Sequence, residues 1–402
     1  MKVLVLNSGS SSQKSSLYEL RNSLPPDPPA PLWEARIEWD GGRADLQVSS
    51  ARGAKLREQV VADDRQTAIE RMLDTLWGGS TRVLASASEM DVVGHRIVHG
   101  GHKLEDATIV TPEVKSIIAS VAVFAPLHNR AELEGIEIIE RLVGRVRQVA
   151  VFDTGFHRTL PLPAAVYPGP YEWFQQGIRR YGFHGINHQY CAERAAHLLG
   201  RDAGSLKLVS CHLGNGCSLA AIRGGASVDT TMGFTPLDGL MMGTRSGSLD
   251  PGILTYLMRQ GPVTSEQLDA TLNQNSGLLG ISGVSGDMRQ ILAAIRQGNE
   301  RAKLAFDIYV HRLQAGIGAM AATLGGIDAL IFTAGVGEHS PEVRAAACQK
   351  LGFLGIKLDA GKNSLSPADQ EISTPDSTVR VLIIRAQEDW AIAKACWRLA
   401  SR

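Results

Sequence analysis

KVLVLNSGSSSQKSSLYEL, residues 2–20, decides the fold. The apolar run 2–6 reads as a strand, and Asn7-Ser8-Gly9-Ser10-Ser11-Ser12 as a polar turn. Residues 14–20 read as a second extended stretch, so the segment predicts a β-hairpin. The run is too short for a signal peptide and lacks its cleavage site. The pattern returns in the second half. Residues 206–212 are apolar, Gly214-Asn215-Gly216 turns the chain, and 218–222 run back to Gly224-Gly225. Two hairpin-led halves predict a duplicated α/β domain with a cleft between the copies.

Outward from the first hairpin, Pro25-Pro26-Asp27-Pro28-Pro29 marks a loop, because such a run holds neither helix nor central strand. Ala68, Ile69, Met72, Leu73, Leu76 and Trp77 recur at helical spacing. Strands are expected at 91–98, 149–153 and 328–333. After the last comes a glycine loop, Ala334-Gly335-Val336-Gly337-Glu338, then a helix capped by Ser340 with Pro341 in its first turn, closing at Gly352. Free backbone N–H groups there suit nucleotide phosphate or ribose. Trp390, Ala393 and Trp397 predict one face of a C-terminal helix.

The 402 residues are enough for two domains. Lys+Arg and Asp+Glu both number 41, and this balance excludes the basic excess that nucleic-acid or anionic-membrane binding needs. No apolar run is long enough for a membrane helix. The five cysteines form no CxxC pair and read as reduced packing thiols of a cytoplasmic protein.

In Asn7–Lys14 and again in His212–Gly216, glycine admits an anion to the backbone while hydroxyls, amides and charge supply donors. Neither segment is a Walker A motif. Taken alone, each is equally a solvated hairpin turn. Arg96 and His99 beside Gly100, Arg179, Arg180 and His184 around Gly182, and Arg245 beside Gly243 and Gly247 place positive groups where backbone comes close. One such cluster is ordinarily surface; three of them with two anion-type turns point to an anion site. His95, His99 and His102 are interrupted by Gly100-Gly101 and suit hydrogen bonding better than metal ligation. Asp153 and Glu388 are oxygen ligands of the kind Mg²⁺ takes, or else a cap and a surface acid.

The chain resembles the acetate kinase (acetokinase) family, within the superfamily of sugar kinases, actin and heat-shock chaperones. The segments carrying the resemblance are NSGSSSQK (7–14), GHRIVHGG (94–101), APLHN (125–129), VFDTGFH (151–157), RRYGFHG (179–185) and HLGNGCS (212–218). They continue with MGFTPLDGLMMGTRSG (232–247), SGLLGISGVSGDMR (276–289), FTAGVGE (332–338) and QEDWAIA (387–393). The resemblance implies two ribonuclease-H-like, actin-like domains with an interdomain active-site cleft. One comprises 1–153 with 390–402, and the nucleotide-binding one 154–389. It also implies a homodimer, Mg²⁺ (with Mn²⁺ as a substitute) and ATP/ADP as cosubstrate.

Carried over by position, Asn7, Ser10, Ser12 and Lys14 form a first phosphate turn, and His212, Leu213, Gly214, Asn215 and Gly216 a second. Arg96 and Arg245 flank the transferring phosphoryl group, His184 donates to it, and Asp153 positions substrate and cation. Asn7 and Glu388 hold the metal. Asp287, Met288, Arg289, Gly335, Val336, Gly337 and His339 border the nucleotide. Val98, Leu127, Phe183 and Pro236, with His128 beside them, make a small apolar pocket for a methyl group. The implied reaction is reversible transfer of the ATP γ-phosphoryl group to acetate, giving acetyl phosphate, by direct in-line attack. A phosphorylated Glu388 is the runner-up mechanism. A propionate kinase and an actin- or chaperone-like nucleotide switch are the alternative functions. The chain departs from the family at Gln13, Arg130, Ile186-Asn187, Ser248, Ala334 and His339. Ala334 and His339 fall on the nucleotide loop.

Overall fold

The computed structural model describes residues 1–9, 12–40, 42–61, 64–122, 126–365 and 369–401, with residues 40 and 126–128 described as backbone alone. The chain packs as two compact units, Met1–Gly155 with Gln387–Arg402, and Phe156–Ala386.

The first unit holds β1 (Lys2–Ser8), β2 (Ser12–Glu19), β3 (Trp33–Asp40), β4 (Arg43–Ser50), β5 (Lys55–Val61), β6 (Val92–Ile97), β7 (Thr108–Ile109) and β8 (Arg147–Phe152). They form one sheet ordered β5-β4-β3-β2-β1-β6-β8-β7. β1 pairs antiparallel with β2 and parallel with β6, which pairs parallel with β8. Val3, Leu4, Val5 and Leu6 are all buried, as a central strand covered on both faces requires. On one face Ile69, Met72, Leu73 and Leu76 of the helix Arg65–Trp77 pack with Leu4, Leu17, Ile37 and Leu46. On the other lies the helix Glu388–Ala400, so close that a Cβ on Gly94 would sit 2.5 Å from Cys396 Sγ and 2.7 Å from Ile392 Cγ2.

The second unit holds β9 (Lys207–Leu213), β10 (Cys217–Arg223), β11 (Ala226–Thr230), β12 (Ala329–Thr333), β13 (Gln370–Glu371) and β14 (Arg380–Ile383), ordered β11-β10-β9-β12-β14-β13. β9 is antiparallel to β10 and parallel to β12, which is parallel to β14. The run β11-β10-β9-β12-β14 repeats the order and strand directions of β3-β2-β1-β6-β8. This is the duplicated α/β core expected from the two hairpins, with the ribonuclease-H-like topology that the resemblance implied. The 25-residue helix Glu300–Leu324 packs on β9, β10 and β11, and the helix Gly185–Leu199 on β9 and β12.

Two of the expected elements are corrected. The glycine loop after β12 is itself helical, Ala334–His339, because Ala334 enters with φ 65 and the backbone coils at once. The Ser340-capped helix ends at Cys348 rather than at Gly352, where a 3₁₀ turn begins. The buried stripe of the C-terminal helix is Trp390, Ile392, Ala393 and Cys396. Trp397 is half-buried and donates its indole N–H to Arg21 O at 3.1 Å. Register sets Cys211 opposite Leu219 and Cys217 opposite Leu213, and all five cysteines are free and buried. No helix among the described residues is long and apolar enough to cross a membrane.

Candidate active site

In the first unit the β1–β2 register sets Asn7 opposite Lys14 and Ser8 opposite Gln13. Gln13 is buried, yet its amide accepts from Ser8 Oγ at 3.0 Å and donates to Ser15 Oγ at 3.2 Å, which satisfies the buried polar group. Asn7 Nδ2 donates to Glu388 Oε2 at 3.1 Å and to Asp389 Oδ1 at 2.9 Å. Ser16 Oγ donates to Asp389 Oδ2 at 2.7 Å. Burial raises the pKa of Asp389, and the Asn7 and Ser16 hydrogen bonds oppose that rise. Both acids open the C-terminal helix, where the dipole favours negative charge. Asn7's amide hydrogens are on carboxylates, so only its Oδ1 could ligate a cation. Two carboxylates and an amide oxygen suit Mg²⁺, which is usually held by one or two carboxylates plus water and substrate phosphates. No group of three or more His, Cys, Asp or Glu able to cage a metal occurs among the described residues.

Arg96, on β6, donates from Nη2 to Asp153 Oδ2 at 2.7 Å and from Nη1 to Ser8 O at 3.2 Å. Its side chain is 13% exposed and that of Asp153 1%. Burial alone would lower the pKa of Arg96, but the charges of Asp153 and Glu388 more than offset it, and the guanidinium is held above its usual value. Sequence reading missed Glu132, on the helix Pro126–Val143. Its Oε2 accepts from Val98 N at 2.9 Å, and burial pushes its pKa up to about 8 against the pull of Arg96. At neutral pH it is therefore an uncharged acid beside a charged arginine. His95 and His99 play the hydrogen-bonding part expected. His95 Nε2 meets Gln148 Oε1 at 2.6 Å, and His99 Nδ1 accepts from Gly101 N at 2.9 Å. Burial pulls both pKa values down to about 4.

In the second unit β9 and β10 carry the glycine turn between them. A Cβ on Gly216 would lie 3.5 Å from both Arg245 Nη1 and His184 Nε2, and one on Gly214 would lie 3.7 Å from His212 Nε2 and 3.9 Å from Ala334 Cβ. The turn therefore lies within van der Waals reach of two histidines, an arginine and the start of the Ala334 segment. His184 caps its helix in the left-handed region, φ 55 and ψ 24, a conformation rare for a residue with a side chain. Its ring stacks on that of His212 with centroids 3.9 Å apart and planes 9° from parallel. His184 Nδ1 meets Ser218 Oγ at 2.9 Å.

Arg245 is held by Pro236 O at 3.2 Å and by no carboxylate among the described residues of its unit; burial lowers its pKa, with only Cys217 acting the other way. Gly243 N donates to Asn215 O at 3.0 Å, and a Cβ on Gly243 would collide with Asn215 Oδ1 at 2.2 Å. The Arg245 segment is thus fitted directly onto the turn.

The structure places the remaining candidates plainly. In the first unit Ser12 is half-buried, Val98 is buried, and Lys14 is exposed on a groove of about 640 Å³ shared with Arg36, Arg57 and Asp389. In the second, Phe183 and Leu213 are buried, and Pro236 half-buried. Met288 is buried at the start of a helix that Asp287 caps, with exposed Arg289 folded back onto Asp287 at 2.5 Å. Gly335 is exposed, Val336 half-buried and Gly337 buried, and His339 is 69% exposed. Ser10 and the side chains of Leu127 and His128 lie outside the described residues. Asp389 went unnoticed although it adjoins Glu388 in QEDW. Glu132's only sequence signal was an acid among the apolar positions of its helix.

The acetokinase family model matches residues 2–394. Acetate kinases from Trichormus variabilis and from a Nostoc species are each 60% identical to the chain over 405 residues, covering all of both sequences. The crystal structure of Porphyromonas gingivalis acetate kinase superposes with a TM-score of 0.91 at 40% identity, and that of a Francisella tularensis propionate kinase with 0.89 at 34%. Each covers 99% of both chains. The chain belongs to the acetokinase family.

Proposed function

We propose that the chain is an ATP:acetate phosphotransferase, interconverting ATP and acetate with ADP and acetyl phosphate. The observation that carries this reading is the second unit's glycine turn, where the half-buried guanidinium of Arg245 and His184 Nε2 converge on Gly216 while no carboxylate among the described residues of that unit bonds Arg245. Such a space is built for an anion.

A carboxylic acid with a pKa near 4 is ionised at neutral pH, so the nucleophile needs no general base. The remaining demand is to bring it to a polyanion and to stabilise charge spread over the equatorial phosphoryl oxygens. Arg96, fixed by Asp153, orients the acetate. Arg245 and His184 act on the transferring phosphoryl group, and the Asn7–Lys14 and His212–Gly216 turns hold the phosphates. Asp287, Met288, Arg289, Gly335, Val336, Gly337 and His339 border the nucleotide. Asn7 and Glu388, joined by Asp389, would hold Mg²⁺ or Mn²⁺, which neutralises phosphate charge when bound. Attack is direct and in line; a phosphorylated Glu388 would instead leave phosphate on the protein after incubation with labelled ATP alone.

Val98 of the first unit and Phe183 and Pro236 of the second are the residues assigned to the substrate's methyl group, and the two units are the actin-like domains. One methylene changes binding by only about 1–3 kcal/mol, so propionate is a poorer substrate rather than an excluded one. The test is acyl hydroxamate formation from acetate, propionate and butyrate with ATP and Mg²⁺. Acetate should react fastest, and chelating the metal should stop the reaction. ATP hydrolysis without acyl phosphate would instead indicate a nucleotide switch.

A homodimer belongs to the same reading. The helix Pro251–Gln260 has no buried residue and exposes Ile253, Tyr256 and Met258, an apolar face that a second copy would cover. Tyr256→Glu should then yield monomers in analytical ultracentrifugation. Five free, buried thiols are in keeping with a cytoplasmic setting.

A further inference from the structure

Asn187 is completely buried. It lies in the first turn of the helix Gly185–Leu199, over the pair of strands in which His212 and Thr333 stand side by side. Its Nδ2 donates to His212 Nδ1 at 2.9 Å and to Thr333 Oγ1 at 3.3 Å. Its Oδ1 faces Cys191 Sγ at 3.8 Å, a weak donor that suits an amide oxygen and not an amide nitrogen.

An amide NH₂ can only donate. The ring nitrogen that receives it must therefore present a lone pair, and the imidazole proton must sit on the other nitrogen. An imidazolium, protonated at both nitrogens, cannot accept this bond. Nε2 of His212 is the nitrogen that lies against Gly214.

We propose that Asn187 is the positioning residue that fixes His212 as its neutral Nε2–H tautomer, so that an N–H donor is always aimed into the phosphate turn. Stacked face to face at 3.9 Å, His184 and His212 would repel each other if both were cations. By holding His212 neutral, Asn187 leaves the stack free of that repulsion when His184 meets a negatively charged phosphoryl group. Asn187 touches none of the reacting atoms and acts through His212. The inference rests on the reading of His212 as part of the phosphate turn.

The test is long-range proton–nitrogen NMR of the full-length chain labelled with nitrogen-15 histidine, without nucleotide, with the His212 signals assigned by their loss in His212→Gln. The unprotonated nitrogen should be Nδ1 in the native chain. In Asn187→Asp the nearly isosteric carboxylate can only accept, so Nδ1 should become protonated. That variant should also raise the KM for ATP about tenfold or more, the loss of one well-aimed hydrogen bond to a charged group, with kcat falling less. A native His212 protonated at Nδ1 overturns the proposal, as does an Asn187→Asp variant whose tautomer and KM are both unchanged. Because the tautomer is read without substrate, its failure is separate from failure to make acyl phosphate, which would overturn the functional reading instead.

Discussion

The two arginines assigned to the reaction live in opposite electrostatic surroundings. Arg96 is buried against Asp153, with Glu388 adding to the pull on its proton. Arg245 is half-buried with the Pro236 carbonyl, the Met242 sulfur and the Cys217 thiol for company, and its proton is held less tightly than usual. A guanidinium matched by a carboxylate is fixed in place and largely neutralised, which suits orienting a small acid. One left uncompensated keeps its full field for a ligand, which suits a phosphoryl group whose charge spreads in the transition state. Burial without a partner costs folding energy, and a site that keeps such a charge is built for an anion to arrive.

This contrast can be broken at several levels. The largest effect is expected on turnover, where Arg245→Ala should lose a factor on the order of 10³ or more, as removal of an arginine finger does. Lysine should rescue poorly because the planar fork is gone. Its melting temperature should stay level or rise, since an unpaired buried charge has been removed.

Arg96→Ala should also lose turnover, but here stability must fall with it. Asp153, 1% exposed, is left without its guanidinium, at a cost of about 3–5 kcal/mol. A thermal melt of the two variants side by side separates the roles; equal shifts would erase the distinction.

A smaller effect concerns Glu132. Its folded pKa of about 8 lies above the ordinary carboxylate value, so between roughly pH 4.5 and 8 the folded state holds a proton that the unfolded state has released. Its contribution to stability is therefore full below pH 4.5 and declines as pH rises to 8. Glu132→Gln keeps an acceptor for Val98 N–H and abolishes the titration. Its advantage over the native chain in denaturant melts should grow from pH 5 to pH 8.5, to on the order of 1–3 kcal/mol. A constant difference across that range would refute the assignment.

The smallest effect is on specificity. Val98→Ala should shift the kcat/KM ratio of propionate to acetate by roughly tenfold toward propionate, with little change in ATP affinity.

The hairpins at 2–20 and 206–222 were legible because alternation, turn residues and glycines act locally, and they carried the duplicated core with them. The strands Trp33–Val61 were not, because their burial pattern depends on the sheet they extend rather than on a turn signal of their own. The helical start at Ala334 escaped notice for a related reason. The sequence shows alternating glycines, which usually mean a loop, whereas the backbone enters a helix through a left-handed alanine. Candidate residues in motifs were readable one by one. Their surroundings were not: Glu132 acquires its raised pKa, and Asn187 its two acceptors, only from residues distant in the chain.

The most direct test of the uncompensated charge is acetyl phosphate formation by Arg245→Ala, measured with and without added methylguanidinium. The expected result is a nearly inactive enzyme whose turnover rises at least tenfold when the free cation fills the emptied space, a gain of about 1.4 kcal/mol in transition-state stabilisation. An Arg245→Ala enzyme that makes acetyl phosphate at the native rate with no cation added would contradict it.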